Sequence, residues 1–126
     1  MKQAGKVGTA LSEIPSVEKT HSGRCLVAEF SGEMDFLTEP SFRTEFFRLL
    51  DEGDRFIVLD LSGVPFCDSA GLNALLAVRR RAVDTGTRLV LAGVQEQLRQ
   101  LLHITGVDEI LDVYDSAPQA VEALDG

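Results

Sequence analysis

A chain of 126 residues, 44% hydrophobic and 25% charged, has the size and composition of one folded domain, which argues against disorder. Its formal charge of −8 repels phosphate backbones, so direct nucleic-acid binding is disfavoured and a basic protein surface is the better match. No apolar run reaches the roughly 18 residues of a membrane helix, and Cys25 and Cys67 lie too far apart for metal-ligand spacing, which reads as a reduced, cytoplasmic protein with no membrane insertion, metal or cofactor.

Residues 1–15 lack a continuous apolar core and read as a mobile tail ahead of a domain over 16–124. A first strand is expected over 16–20, a turn at His21-Ser22-Gly23, and a second strand over 24–32 that closes a hairpin. The loop "GEMDFLTEP" leads to a helix with Thr38 as N-cap and Pro40 in its first turn. Phe42, Phe46, Leu49 and Leu50 recur at helical spacing, and Gly53 marks the end. "FIVLDL", residues 56–61, is a short run of β-formers with the look of a strand buried on both faces.

A second helix is expected from Ser69 to about Asp84, stopped by Gly86, and a further buried strand over 88–94. Leu98, Leu101 and Leu102 mark a third helix closed near Gly106; "ILDVY" is a short strand. Ser116 caps a last helix with Pro118 in its first turn and Val121 and Leu124 turned inward. The order β-β-α-β-α-β-α-β-α predicts a single α/β domain: a mixed, largely parallel sheet of about five strands with about four helices.

The segment "FCDSAGLNALL", residues 66–76, joins an acid and a hydroxyl at the start of an apolar helix. A hydrolase nucleophile would need G-x-S-x-G, yet Cys67 stands two residues before Ser69. Its base would have to be His21, in the expected hairpin turn, or His103, at the end of a later helix with no marked orienting acid, so the chain is read as not an enzyme. A phosphate-binding loop lacks its G-K-[ST], and Asp35, Asp60 and Asp68 lack the late-strand lysine of a receiver domain. Asp68 and Ser69 suit an N-cap, whose oxygen accepts from free amides. A phosphate on Ser69 would sit at the helix end that favours anions, so the fold would survive while the surface changes.

At about 100° per residue, Ser69 shares a helix face with Asn73, Leu76 and Arg80. Gly71, Leu72, Leu75, Val78 and Ala82 form the opposite, core-facing stripe, with Arg79 at its edge. Leu76 is thereby a candidate exposed apolar contact beside a modifiable hydroxyl.

Four segments in order carry a resemblance to the STAS family, specifically its stand-alone bacterial anti-sigma factor antagonists: "GEMD" (32–35), "VLDLSGVPFCDSAGLNALL" (58–76), "TRLVLAGV" (87–94) and "LLHITGVDEIL" (101–111). The resemblance implies an antagonist that binds an anti-sigma factor, often a serine kinase, and so releases a sigma factor. It implies phosphorylation of Ser69 by that kinase and restoration by a serine phosphatase. Asp35 and Asp68 match the family's neighbouring aspartates; each is open to a structural role in its loop or to partner contact. The alternative is a STAS accessory domain of a transport system, binding a small ligand or a transporter partner.

Overall fold

A computed structural model describes residues 15–125 of the chain. The tail expected over 1–15 therefore lies, except for Pro15, outside the described residues. The elements follow the expected order: β1 (Ser16–Ser22), β2 (Cys25–Ser31), α1 (Glu39–Asp51), β3 (Phe56–Gly63), α2 (Ser69–Thr85), β4 (Arg88–Ala92), α3 (Glu96–Thr105), β5 (Val113–Tyr114) and α4 (Ala117–Asp125). The five strands form one sheet in the order β1-β2-β3-β4-β5. β1 runs antiparallel to β2, and every other pair is parallel.

Side chains alternate across this sheet. Leu26, Ala28, Phe30, Ile57, Leu59, Leu61, Leu89 and Leu91 enter the larger core, where α1 contributes Phe42, Phe46 and Leu49, α2 Leu72, Leu75 and Val78, and α3 Leu98 and Leu102. Phe30 meets Phe46 edge-on with ring centroids 4.9 Å apart, a geometry that aligns ring edge with ring face. On the other side Cys25, Val58, Val90 and Ala92 pack against Ala120 and Leu124 of α4. A strand covered on both faces must be apolar at nearly every position, which is why "FIVLDL" shows no polar alternation.

Four boundaries differ from expectation. The β1–β2 ladder continues to the pair Ser22↔Cys25, so His21 and Ser22 belong to the strand and the turn is Gly23-Arg24. A two-residue hairpin loop favours positive φ, and Gly23 supplies it at 60°. β3 continues two residues past Leu61, whereas β4 stops at Ala92. β5 keeps only Val113 and Tyr114 of the expected 110–114, because the amides of Ile110 and Leu111 both bond the Val107 carbonyl and close a 3-10 turn, Val107–Glu109.

Thr38 is also corrected. It precedes α1 with helical backbone and no side-chain cap bond. Its buried hydroxyl instead donates to the Glu33 carbonyl at 2.7 Å and accepts from the Asp35 amide at 3.0 Å. Pro40 does occupy the first turn of α1, and the Ser116 hydroxyl accepts from the Gln119 amide at 3.3 Å, as a cap should. The parallel strands deliver the loops 32–38, 64–68 and 93–95 to one edge of the sheet, the edge at which α/β folds usually bind.

Candidate functional site

Asp68 organises this edge. Its backbone is extended (φ −103°, ψ −170°), and its side chain is the N-cap of α2. One oxygen, Oδ1, accepts from the Gly71 amide at 3.0 Å; the other, Oδ2, accepts from the Phe36 amide at 3.1 Å. The Asp68 amide donates to the Met34 carbonyl at 3.1 Å, and the Met34 amide donates to the Phe66 carbonyl at 2.9 Å. Met34 and Cys67 thereby form a parallel bridge between the two loops. One carboxylate satisfies donors on two segments, so it ties the loop after β2 to the start of α2.

Asp35 does comparable work within its own loop. Its Oδ1 accepts from the amides of Leu37 at 3.0 Å and Thr38 at 3.1 Å. These are donors just ahead of α1; the Thr38 amide also reaches the Asp35 carbonyl at 3.2 Å, whereas among the described residues the Leu37 amide has only the side chain.

Gly71 allows the two loops to meet. A Cβ there would lie 2.4 Å from the Met34 carbonyl oxygen and 2.9 Å from the Cys67 sulfur. Gln97 on α3 fastens the other side: its Oε1 accepts from the Cys67 amide and its Nε2 donates to the Cys67 carbonyl, both at 2.8 Å.

Cys67 is fully buried and serves as a small apolar filler. Burial, and then the charge of Asp68, push its thiol up from 9.0 to about 12. The thiolate is the reactive form. Native Cys67 is therefore expected to resist a thiol reagent at pH 8 and to react once the chain is unfolded in urea. Between pH 9.0 and about 12 the unfolded chain releases a proton that the native chain keeps. Stability present below that window falls as pH rises through it. Denaturant midpoints measured across the window should decline, and Cys67→Ala should flatten the decline.

Ser69 is the first helical residue of α2 and is exposed. Because Asp68 does the capping, the Ser69 hydroxyl has no hydrogen-bond partner among the described residues. Asn73 and Arg80 are exposed on the same face. The core stripe is as expected, with Gly71, Leu72, Leu75, Val78 and Ala82 all buried, joined by Ala74. Leu76 differs: it is half-buried and packs against the larger core. This position is therefore a boundary of the core stripe and not a free surface. Leu76→Glu is accordingly expected to lower stability by about 1–2 kcal/mol in thermal unfolding as well as weakening any docking on this face. An unchanged midpoint would make the position a free surface after all.

Three exposed apolar side chains lie on the loops 32–38 and 64–68 and were not among the expected site residues: Phe36 at 70%, Leu37 at 57% and Phe66 at 41% exposure. Their signal was present, since two adjacent large apolar residues in a loop with no periodicity cannot both turn inward. Gln97 left no signal, because its target lies 30 residues away.

Contrary to expectation, His103 does have an acid beside it, and so does His21, but no hydrogen bond joins either histidine to Ser69 among the described residues. His21 bonds Asp54 at 3.0 Å, ahead of β3 and so at the opposite edge of the sheet from Ser69; His103 bonds Asp108 at 3.2 Å. The Asp60 carboxylate accepts from the Ser62 amide at 3.0 Å, while that of Asp35 serves its own loop and that of Asp68 bonds the amides of Gly71 and Phe36. Among the described residues no group of acids, histidines and cysteines could hold a metal ion, and no helix is long and apolar enough to cross a membrane.

A family model described as STAS domain matches residues 16–120. The anti-sigma F factor antagonist of Paenibacillus polymyxa is 26% identical over 110 residues, spanning 86% of this chain and 94% of that protein. The anti-sigma-B factor antagonist of Staphylococcus aureus is 24% identical over 98 residues, spanning 78% and 91%. Among solved structures, an anti-sigma factor antagonist from Mycobacterium paratuberculosis superposes with a TM-score of 0.81 at 23% identity, covering 90% of this chain and 97% of that one.

Proposed function

Since the chain belongs to the STAS domain family, we propose that it is an anti-sigma factor antagonist switched by phosphorylation of Ser69. In this reading it binds an anti-sigma factor of the serine-kinase type and so frees a sigma factor. The kinase ends the association by modifying Ser69, and a serine phosphatase restores it. Sigma factors act in the cytoplasm, and a cytoplasmic location goes with the reading.

The observation that carries it is the division of labour at the start of α2: Asp68 caps the helix, and the neighbouring Ser69 is exposed. A hydroxyl used as a cap could not be modified without loss of the cap; this one can. The names of the relatives, antagonists of anti-sigma F and anti-sigma-B factors, support the partner class. The docking face comprises Ser69, Asn73, Leu76 and Arg80, flanked by Asp35 and Asp68, and Phe36, Leu37 and Phe66 add apolar contact area to it. Exposed aromatic side chains of this kind anchor interfaces.

Incubation with ATP and an anti-sigma serine kinase from the same genome, followed by mass mapping, tests the reading. One phosphate on Ser69, absent from Ser69→Ala, is expected. A phosphate on another residue, or none with any such kinase, would contradict it.

A further inference from the structure

Arg79, Arg80 and Arg81 are consecutive on the second half of α2. Twenty acidic side chains face twelve lysines and arginines in this chain, so every cation has carboxylates to choose from. Lys19, Arg24, Arg43, Arg48, Arg88 and Arg99 each pair with one. Among the described residues only Arg55 and the α2 triplet have no carboxylate partner. Asp84, one turn beyond Arg80 on the same helix, forms no ion pair with it.

One member of the triplet, Arg81, is also held in place. The guanidinium carbon of Arg81 lies 4.6 Å from the centroid of the Phe47 ring on α1, a cation–π contact that fixes a side chain otherwise free to rotate. Arg80 is exposed and continues the face of Ser69 and Asn73.

We propose that Arg80, with Arg79 and Arg81 beside it, is an anchoring site for surface carboxylates of the anti-sigma factor and fixes that partner's register along α2. This rests on the chain being an antagonist. At 1.5 Å rise per residue, Ser69 and Arg80 are separated by about 16 Å along the helix. That is about two Debye lengths at physiological ionic strength. A phosphate on Ser69 is therefore not neutralised by the arginines of its own helix, nor does it cancel their pull on the partner. One end of α2 gates docking and the other end aligns it. The modified protein should retain a weak, salt-sensitive association.

Net charge selects the class of anion. A nucleic acid or an anionic membrane is an extended field of negative charge and meets the full −8 of the molecule. A small patch of protein carboxylates meets only the local arginines. Matched patches of this kind raise association rates and set orientation.

Two arms test the proposal on the full chain. In the first, binding of the anti-sigma factor is measured from low to high salt for the unmodified protein and for Arg80→Glu. The variant should bind at least about tenfold more weakly at low salt, chiefly through slower association, and with a shallower salt dependence. Equal binding at low salt, or binding that strengthens with salt, would overturn the anchor.

The second arm follows backbone amide shifts on titration with a hexaglutamate peptide and separately with phosphatidylserine vesicles and duplex DNA. Peptide-induced shifts at residues 79–81, lost in Arg80→Glu, support the anchor. No shifts, or tighter arginine-dependent binding to the vesicles or the DNA, would overturn it. Should no anti-sigma factor bind the unmodified chain, the antagonist reading fails, and the peptide arm still decides whether the arginines receive carboxylates.

Discussion

Ser69→Glu is expected to bind the anti-sigma factor about a hundredfold more weakly than the unmodified chain, and to unfold within about 2 °C of it. The binding loss follows from position. Ser69 is exposed and follows Asp68, whose carboxylate holds the Phe36 amide, so a partner seated on the exposed Phe36, Leu37 and Phe66 side chains is expected to cover it. A carboxylate covered in this way loses its water, and it adds to the charge of Asp35 and Asp68 nearby. Unfavourable charge in an interface costs several kcal/mol, and each 1.4 kcal/mol is a factor of about ten.

Retention of stability follows from the same position. The first turn of a helix favours negative charge by about 0.3–1 kcal/mol, and Asp68 keeps the cap bond to the Gly71 amide. Ser69→Ala should bind as the unmodified chain does and become insensitive to the kinase. Titration calorimetry and thermal unfolding of the three proteins separate these effects. Equal affinities would remove Ser69 from the interface, and a melted Ser69→Glu would make it a structural residue.

Gly71→Val is expected to be the most damaging single change at the site. In an ordinary helix interior, loss of glycine is helpful, by up to about 1 kcal/mol for alanine. Here the first added carbon would lie 2.4 Å from the Met34 carbonyl oxygen, a backbone atom with no side-chain freedom to yield. That oxygen accepts from the Asp68 amide, so displacing it also loosens the loop junction. Overpacking costs about 1–3 kcal/mol, and a broken buried hydrogen bond adds about 1 kcal/mol or more. The thermal midpoint should drop on the order of 10 °C. Gly71→Ala should move in the same direction by less. A midpoint that rises, as helix propensity alone demands, would mean that the loops have room to part.

The parts of the fold visible in the sequence are those governed by local pattern. The two-faced burial of "FIVLDL", the core stripe of α2 and the stop signals all follow from periodicity and backbone preference, and all agree with the structure. Where the structure differs, a distant or competing bond decides. The hydroxyl of Thr38 is captured by Glu33 and Asp35, so it does not cap α1. The expected strand at Ile110 and Leu111 is lost because their amides are taken by Val107.

At the site, the exposure of Ser69 was legible from the helical wheel. The division between Asp68 as cap and Ser69 as free hydroxyl was not, because local pattern favours both residues equally. The second bond of Asp68, to an amide 32 residues earlier, comes from the chain's return across the sheet edge. Leu76 shows the limit of the wheel itself: an angle assigns a face, but not how much of that face the rest of the core covers.

The most direct measurement uses the protein phosphorylated at Ser69 by its kinase and compares it with the same sample after phosphatase treatment. Affinity for the anti-sigma factor and thermal midpoint are read on both. A switch at an exposed helix start requires affinity to fall on phosphorylation and to return on dephosphorylation, with the midpoint unchanged throughout. Undiminished affinity, or a midpoint that collapses with the phosphate in place, would contradict it.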